Sequence, residues 1–123
     1  MKSMKPNLFF QFSYAVLCLL FLAGCTGKPT QIIFSSDSES PQIQFAITEL
    51  QESFSDRGIE LIMGDVKNAD IIISVQPEMK SIIAEGFIIK KDGEKISIIA
   101  IDEAGAMYGG LELAEQIQIS GLE

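Results

Sequence analysis

Four β-branched runs in this chain are apolar at consecutive positions: Ile32-Ile33, Ile71 to Ile73, Ile88-Ile89 and Ile98-Ile99. Side chains in a strand alternate between faces, so each run presents hydrocarbon to both sides of a sheet. A sheet with one wet face shows clean apolar–polar alternation instead. Only two stretches carry helical apolar spacing. Two helices can cover one face of a five-stranded sheet, and not comfortably both. Either one helix lies on each face, or the second face meets something outside this chain.

The first helix is well delimited. Ser40-Pro41 reads as an N-cap followed by proline at the first helical position. Ile43, Ile47, Leu50 and Phe54 recur at helical spacing, and Gly58 suits the C′ position after the helix. The spacing predicts a helix over 41–57. Strands are expected at Gln31–Phe34, Ile59–Met63 and Ala69–Val75. Residues 64–68 form a turn, and 76–84, with Pro77, a loop with a short helical turn. Asp92-Gly93 lies between two apolar runs, 85–91 and 94–101, and such a dipeptide is a strong hairpin signal. A two-residue turn there sets Lys91 against Glu94, Ile89 against Ile96 and Phe87 against Ile98. Those apolar residues share one face, with Ile88, Ile99 and Ile101 on the other. The last helix, 104–119, would bury Met107, Leu111, Ala114 and Ile117. The order β-α-β-β-β-β-α makes an α+β two-layer sandwich: a mixed sheet of about five strands with two main helices.

The amino terminus is of another kind. Lys2 and Lys5 precede a mostly apolar run, Leu8 to Leu22, in the layout of a secretory signal. Leu22-Ala23-Gly24-Cys25 closes it and resembles the lipobox of bacterial lipoproteins. This reading makes 1–24 a lipoprotein signal peptide, Cys25 the lipid-attachment residue and 25–30 a tether. It predicts an exported lipoprotein, held to the membrane of the bacterial cell envelope by its anchor. Cys18 leaves with the signal and Cys25 carries lipid, so no thiol remains for a disulfide, zinc site or nucleophile.

From Cys25 onward, 17 acidic residues face seven basic ones, a formal charge of −10. With no basic cluster, nucleic acid is not an expected partner. Histidine is absent, which excludes Ser-His and Cys-His catalysis and leaves only carboxylates for a metal. No cofactor or metal is expected.

The segment Ile99 to Ile117 enters a Gly-rich turn from a β-branched run, as a phosphate loop would. A dinucleotide fingerprint needs Gly-x-Gly-x-x-Gly at that point. Here the order is Gly105-Ala-Met-Tyr-Gly109-Gly110, behind two acids that would repel phosphate. Gly105 instead serves a tight strand-to-helix turn, and Gly109-Gly110 let the helix backbone sit close to the sheet. Asp37/Glu39, Asp92/Glu94 and Asp102/Glu103 are carboxylate pairs by proximity, as glycoside hydrolysis requires. They fall on a loop, at a turn and at a helix start, where solvated or structural roles are the rule. Ser35 to Ser40 could be an adaptable binding loop or simply a loop.

The carboxy-terminal half, "AEGFIIKKDGEKISIIAIDEAGAMYGGLELAEQI", resembles the N-terminal accessory α/β domain of glycoside hydrolases of the β-N-acetylhexosaminidase and α-glucuronidase type. Glu85-Gly86-Phe87 corresponds to an acidic-Gly-aromatic start. Asp92-Gly93 lies in the hairpin that follows. Asp102, Gly105, Tyr108 and Gly109, with Gly110 behind them, fit Asp-x-x-Gly-x-x-Tyr-Gly ahead of an amphipathic helix. The resemblance covers 31–119. It implies a domain beside a catalytic (β/α)8 barrel, and that barrel is not in this chain. Residues 120–123 would begin a linker to it. No catalytic residue carries over. The expected function is a non-catalytic accessory domain of an exported carbohydrate-active enzyme, from a truncated or split gene. The alternative is a stand-alone lipoprotein module that binds a glycan or a partner protein.

Overall fold

The computed structural model describes residues 30–122. The signal segment 1–24, Cys25 and positions 26–29 of the tether lie outside the described residues, as does Glu123. The elements are β1 (Thr30–Ser36), α1 (Pro41–Ser55), β2 (Ile59–Met63), β3 (Ile71–Val75), β4 (Phe87–Asp92), β5 (Lys95–Ala100) and α2 (Glu103–Ser120). The fold is α+β in two layers, with the β-α-β-β-β-β-α order. The sheet order is β2-β1-β3-β5-β4. Four strands are parallel, and β4 runs antiparallel to β5 at one edge.

Both helices pack on the same face, so the arrangement with one helix on each face does not occur. One core joins Ile43, Ile47, Leu50 and Phe54 of α1 and Leu113, Ala114 and Ile117 of α2 to Phe34, Leu61, Ile71, Ile73, Ile96 and Ile98 of the sheet. Each such side chain taken from water contributes about 1.5–3 kcal/mol. Ile33, Ile62, Ile72, Ile88 and Ile99 alternate with these core residues and occupy the other face, each half-buried. No helix among the described residues covers that face.

Local chemistry fixes α1 at its start. The Ser40 hydroxyl accepts the Ile43 N–H at 3.3 Å, and Pro41 follows. The helix ends two residues earlier than the expected 57. Asp56 is the C-cap, and Gly58 takes φ +70 two positions later, at C″ rather than C′. Residues 76–84 form successive turns without a helix, closed by Met79 N–H to Gln76 C=O (3.1 Å) and Ile82 N–H to Met79 C=O (3.2 Å).

The hairpin differs from its expected register. Asp92 pairs with Lys95, Lys91 with Ile96, Ile89 with Ile98 and Phe87 with Ala100. The turn residues are therefore Gly93-Glu94. Gly93 alone has positive φ, +60, the pattern of a type II′ turn. The slip is two residues, so every side chain keeps its face. The observed register sets Asp92 against Lys95, an opposite-charge pair, where the expected one set Lys91 against Glu94.

The buried stripe of α2 is also shifted. It runs through Gly105, Ala106, Gly109, Gly110, Leu113, Ala114 and Ile117, whereas Met107 and Leu111 are only half-buried. The smallest residues face inward because the helix lies too close to its neighbours for larger ones.

Candidate functional site

The carboxyl ends of β3 and β5, the start of β4 and the start of α2 converge on one cluster. Asp102 is the N-cap of α2 and accepts the Gly105 N–H at 2.8 Å through Oδ1. Its Oδ2 accepts the Glu85 N–H, also at 2.8 Å. Glu85 has φ +59, which turns its N–H toward the cap. The two backbone donors, Glu85 first and Gly105 second, hold the Asp102 carboxyl below the ordinary carboxylate range. A general acid working near neutrality needs the opposite shift.

The glycines follow from the same closeness. A Cβ on Gly105 would strike the Gly86 carbonyl oxygen. One on Gly109 would stand 2.5 Å from Ile98 Cγ2 and 3.2 Å from the Phe87 ring. One on Gly110 would stand 2.7 Å from the Ala46 Cβ. Gly110 thus lets α2 approach α1, not the sheet as the sequence suggested. Glu85, Gly86, Phe87, Asp102, Gly105 and Gly109 are brought together, and Gly110 adjoins them. Tyr108 is 45% exposed on the outer side of α2. Asp92 and Gly93 sit at the hairpin tip, apart from the cluster.

Three more carboxylates are engaged with backbone or with a neighbouring side chain: Asp37, Glu103 and Asp70. Both oxygens of Asp37 accept the Val75 N–H at 3.1 Å. Glu103 accepts the Ser38 hydroxyl at 2.8 Å, which ties the serine loop to α2. Within that loop, the Ser38 hydroxyl accepts the Ser40 N–H at 3.3 Å. Asp70, which sequence reasoning passed over, accepts the Ile33 N–H at 2.8 Å. It continues the β1–β3 ladder one step before its first pair, Phe34 with Ile71. An acid directly ahead of an apolar run was the available signal. Ser53 was also missed. It is fully buried, donates to the Glu49 carbonyl (2.9 Å) and accepts from Gln118 Nε2 (3.1 Å) across the helix seam.

Three depressions have the volume of small-ligand sites. The first, about 390 Å³, is lined by Gln31, Asp70, Lys91, Glu94, Ile96 and Leu122 at the hairpin end of the sheet. The second, about 490 Å³, lies beside β2 and contains Glu60 as its one carboxylate. The third, about 400 Å³, lies among Gln51, Glu52, Ser55 and Asp56 at the end of α1. None of the three includes Asp102 or Glu103. Among the described residues, no group of three acidic or cysteine side chains is placed to hold a metal ion.

No family model matches the chain, and no curated protein matches it. Among solved structures it is similar to a GH138 enzyme targeting pectin rhamnogalacturonan II, at 23% sequence identity and a TM-score of 0.62. The likeness covers 74% of this chain and 14% of that one. At this identity the likeness shows a shared fold.

Proposed function

We propose that this chain is a non-catalytic accessory domain of an exported carbohydrate-active enzyme, packed beside a catalytic domain that lies outside the described residues. One observation carries the reading: the same fold occurs as a small part of a glycoside hydrolase, 14% of its length. The hexosaminidase or α-glucuronidase type is the finer form of the proposal and rests on the motif residues from Glu85 to Gly110. Two features of the cluster support a non-catalytic role. Its central acid is held ionised by backbone donors, and its glycines are filled by neighbouring atoms rather than by space for a substrate. The proposal includes Cys25 as the lipid-attachment residue, which would hold the domain at the bacterial cell envelope.

The alternative is a stand-alone lipoprotein module that holds a glycan or a partner protein. The depression of about 390 Å³ favours it, since Gln31, Asp70, Lys91 and Glu94 place both charges around its rim. The DNA following codon 123 separates the two readings. A catalytic-domain coding sequence in the same or an adjacent frame is the expected finding. Saturable binding of a defined glycan by the purified chain, with no such sequence nearby, would establish the alternative.

A further inference from the structure

The two edges of the sheet are built differently. The β4 edge carries Lys90, Lys91 and Asp92. Charged residues, lysine above all, are a common device against edge-to-edge pairing. The β2 edge reads Ile59-Glu60-Leu61-Ile62-Met63, with one charge, no proline and no lysine. Met63 at its end is 62% exposed. Glu60 is already engaged, since it accepts from Gln31 Nε2 at 2.8 Å.

The backbone direction along β2 is fixed by its continuation. Gly64 donates its N–H to the Phe34 carbonyl at 2.9 Å, so even-numbered residues here face β1. In a parallel ladder the N–H and C=O of one residue point to the same side. Ile59, Leu61 and Met63 therefore turn their N–H and C=O groups to the free edge. Beside that edge lies the open groove of about 490 Å³, lined by Gln51, Ser55, Gly58 and β2 itself. The flank of α1 on this side is Gln44, Thr48, Gln51 and Ser55, exposed, polar and uncharged. In a chain of net charge −8, an uncharged helix flank beside a strand edge whose one charge, Glu60, is engaged by Gln31 is a local exception.

We propose that β2 pairs antiparallel with β2 of a second copy of this chain, across a two-fold axis at Leu61, to make one continuous sheet. The sequence is self-complementary in that register. Leu61 meets its own counterpart, and Ile59 meets Met63 of the other copy. These three pairs all have outward backbone groups, so each can exchange two hydrogen bonds. On the other face Glu60 meets Ile62, which keeps the two glutamates from facing one another. An isologous contact of this kind closes at two copies, and the lysine-bearing β4 edges stay outermost.

The test uses the full chain purified in non-ionic detergent, its protein mass measured by sedimentation with the detergent contribution removed. The wild type is expected at twice the chain mass. Met63→Lys, at an exposed position that leaves the core intact, is expected to halve it. Phe45→Lys, on the α1 face away from this edge, is expected to leave the dimer unchanged. Amide exchange gives a second readout. The Leu61 and Met63 N–H groups are expected to be protected in the wild type and to exchange at least tenfold faster in Met63→Lys, with unchanged far-ultraviolet circular dichroism. A monomeric wild type would overturn the proposal. So would a dimer that survives Met63→Lys with these amides unprotected, which would place the contact elsewhere.

Discussion

The carboxylate of Asp102 accepts the backbone N–H of Glu85 at 2.8 Å, joining the start of α2 to the entry of β4. The same carboxylate caps α2 through Gly105, so one side chain ties the helix start to a residue 17 positions earlier, at the entry of β4. Asp102→Ala should lower the melting temperature, and Asp102→Asn should lower it less, because an amide oxygen can still accept one of the two bonds. Equal melting points for wild type and Asp102→Ala would remove this role.

The cap also predicts a pH dependence. The folded-state pKa of Asp102 is lowered, so its contribution is present above the unfolded value, about 3.9. It is lost as pH falls from there through the folded value. Wild-type stability should fall more steeply with acid than that of Asp102→Asn, and the two curves should converge at low pH. Parallel curves in urea melts across this range would contradict the assignment.

Gly109→Ala isolates the close approach of α2 to the sheet. Alanine gains about 1 kcal/mol of helix propensity over glycine. The new methyl meets Ile98 at 2.5 Å, and overpacking of this kind costs about 1–3 kcal/mol. The expected result is a net loss of about 1 kcal/mol in a urea melt. A gain would mean that the helix can move away from Ile98 at little cost.

Gly93→Val tests the turn. Nothing lies within 4 Å of a Cβ at this position, so the positive φ is the sole constraint. The expected loss is about 1–2 kcal/mol, the cost of holding an L-residue in left-handed backbone. No measurable loss would remove the type II′ assignment.

Element types and most boundaries were legible in the sequence because capping residues and apolar spacing agreed. The span of β2 and the capped start of α1 came directly from Ser40, Pro41, Gly58 and the apolar residues between and after them. Two features were not legible, for definite reasons. The hairpin registers built on Asp92-Gly93 and on Gly93-Glu94 differ by two residues, so both put Phe87, Ile89, Ile96 and Ile98 on the same face. Hydrophobic pattern cannot separate them. The buried stripe of α2 was misplaced because hydrophobicity marks large side chains, and here Gly105, Gly109 and Gly110 make the contacts. The motif cluster was legible as a set of residues. The bond from the Glu85 N–H to Asp102 was not, since it depends on a positive φ at a residue other than glycine.

Cys25→Ser should abolish incorporation of labelled fatty acid and release the chain from the membrane fraction. Retention through an uncleaved signal would still agree with lipid attachment at Cys25. Undiminished lipid labelling in the variant would not.

The most direct measurement is hydrolysis by the purified chain of a panel of aryl β-N-acetylglucosaminides, glucuronides and glucosides. A glycosidase needs two carboxyl groups across a sugar, one of them with a raised pKa. Here Asp102 is shifted downward and Glu103 is tied to Ser38. The account predicts turnover indistinguishable from the blank for every substrate. Turnover above the blank that disappears in Asp102→Asn or Glu103→Gln would contradict it.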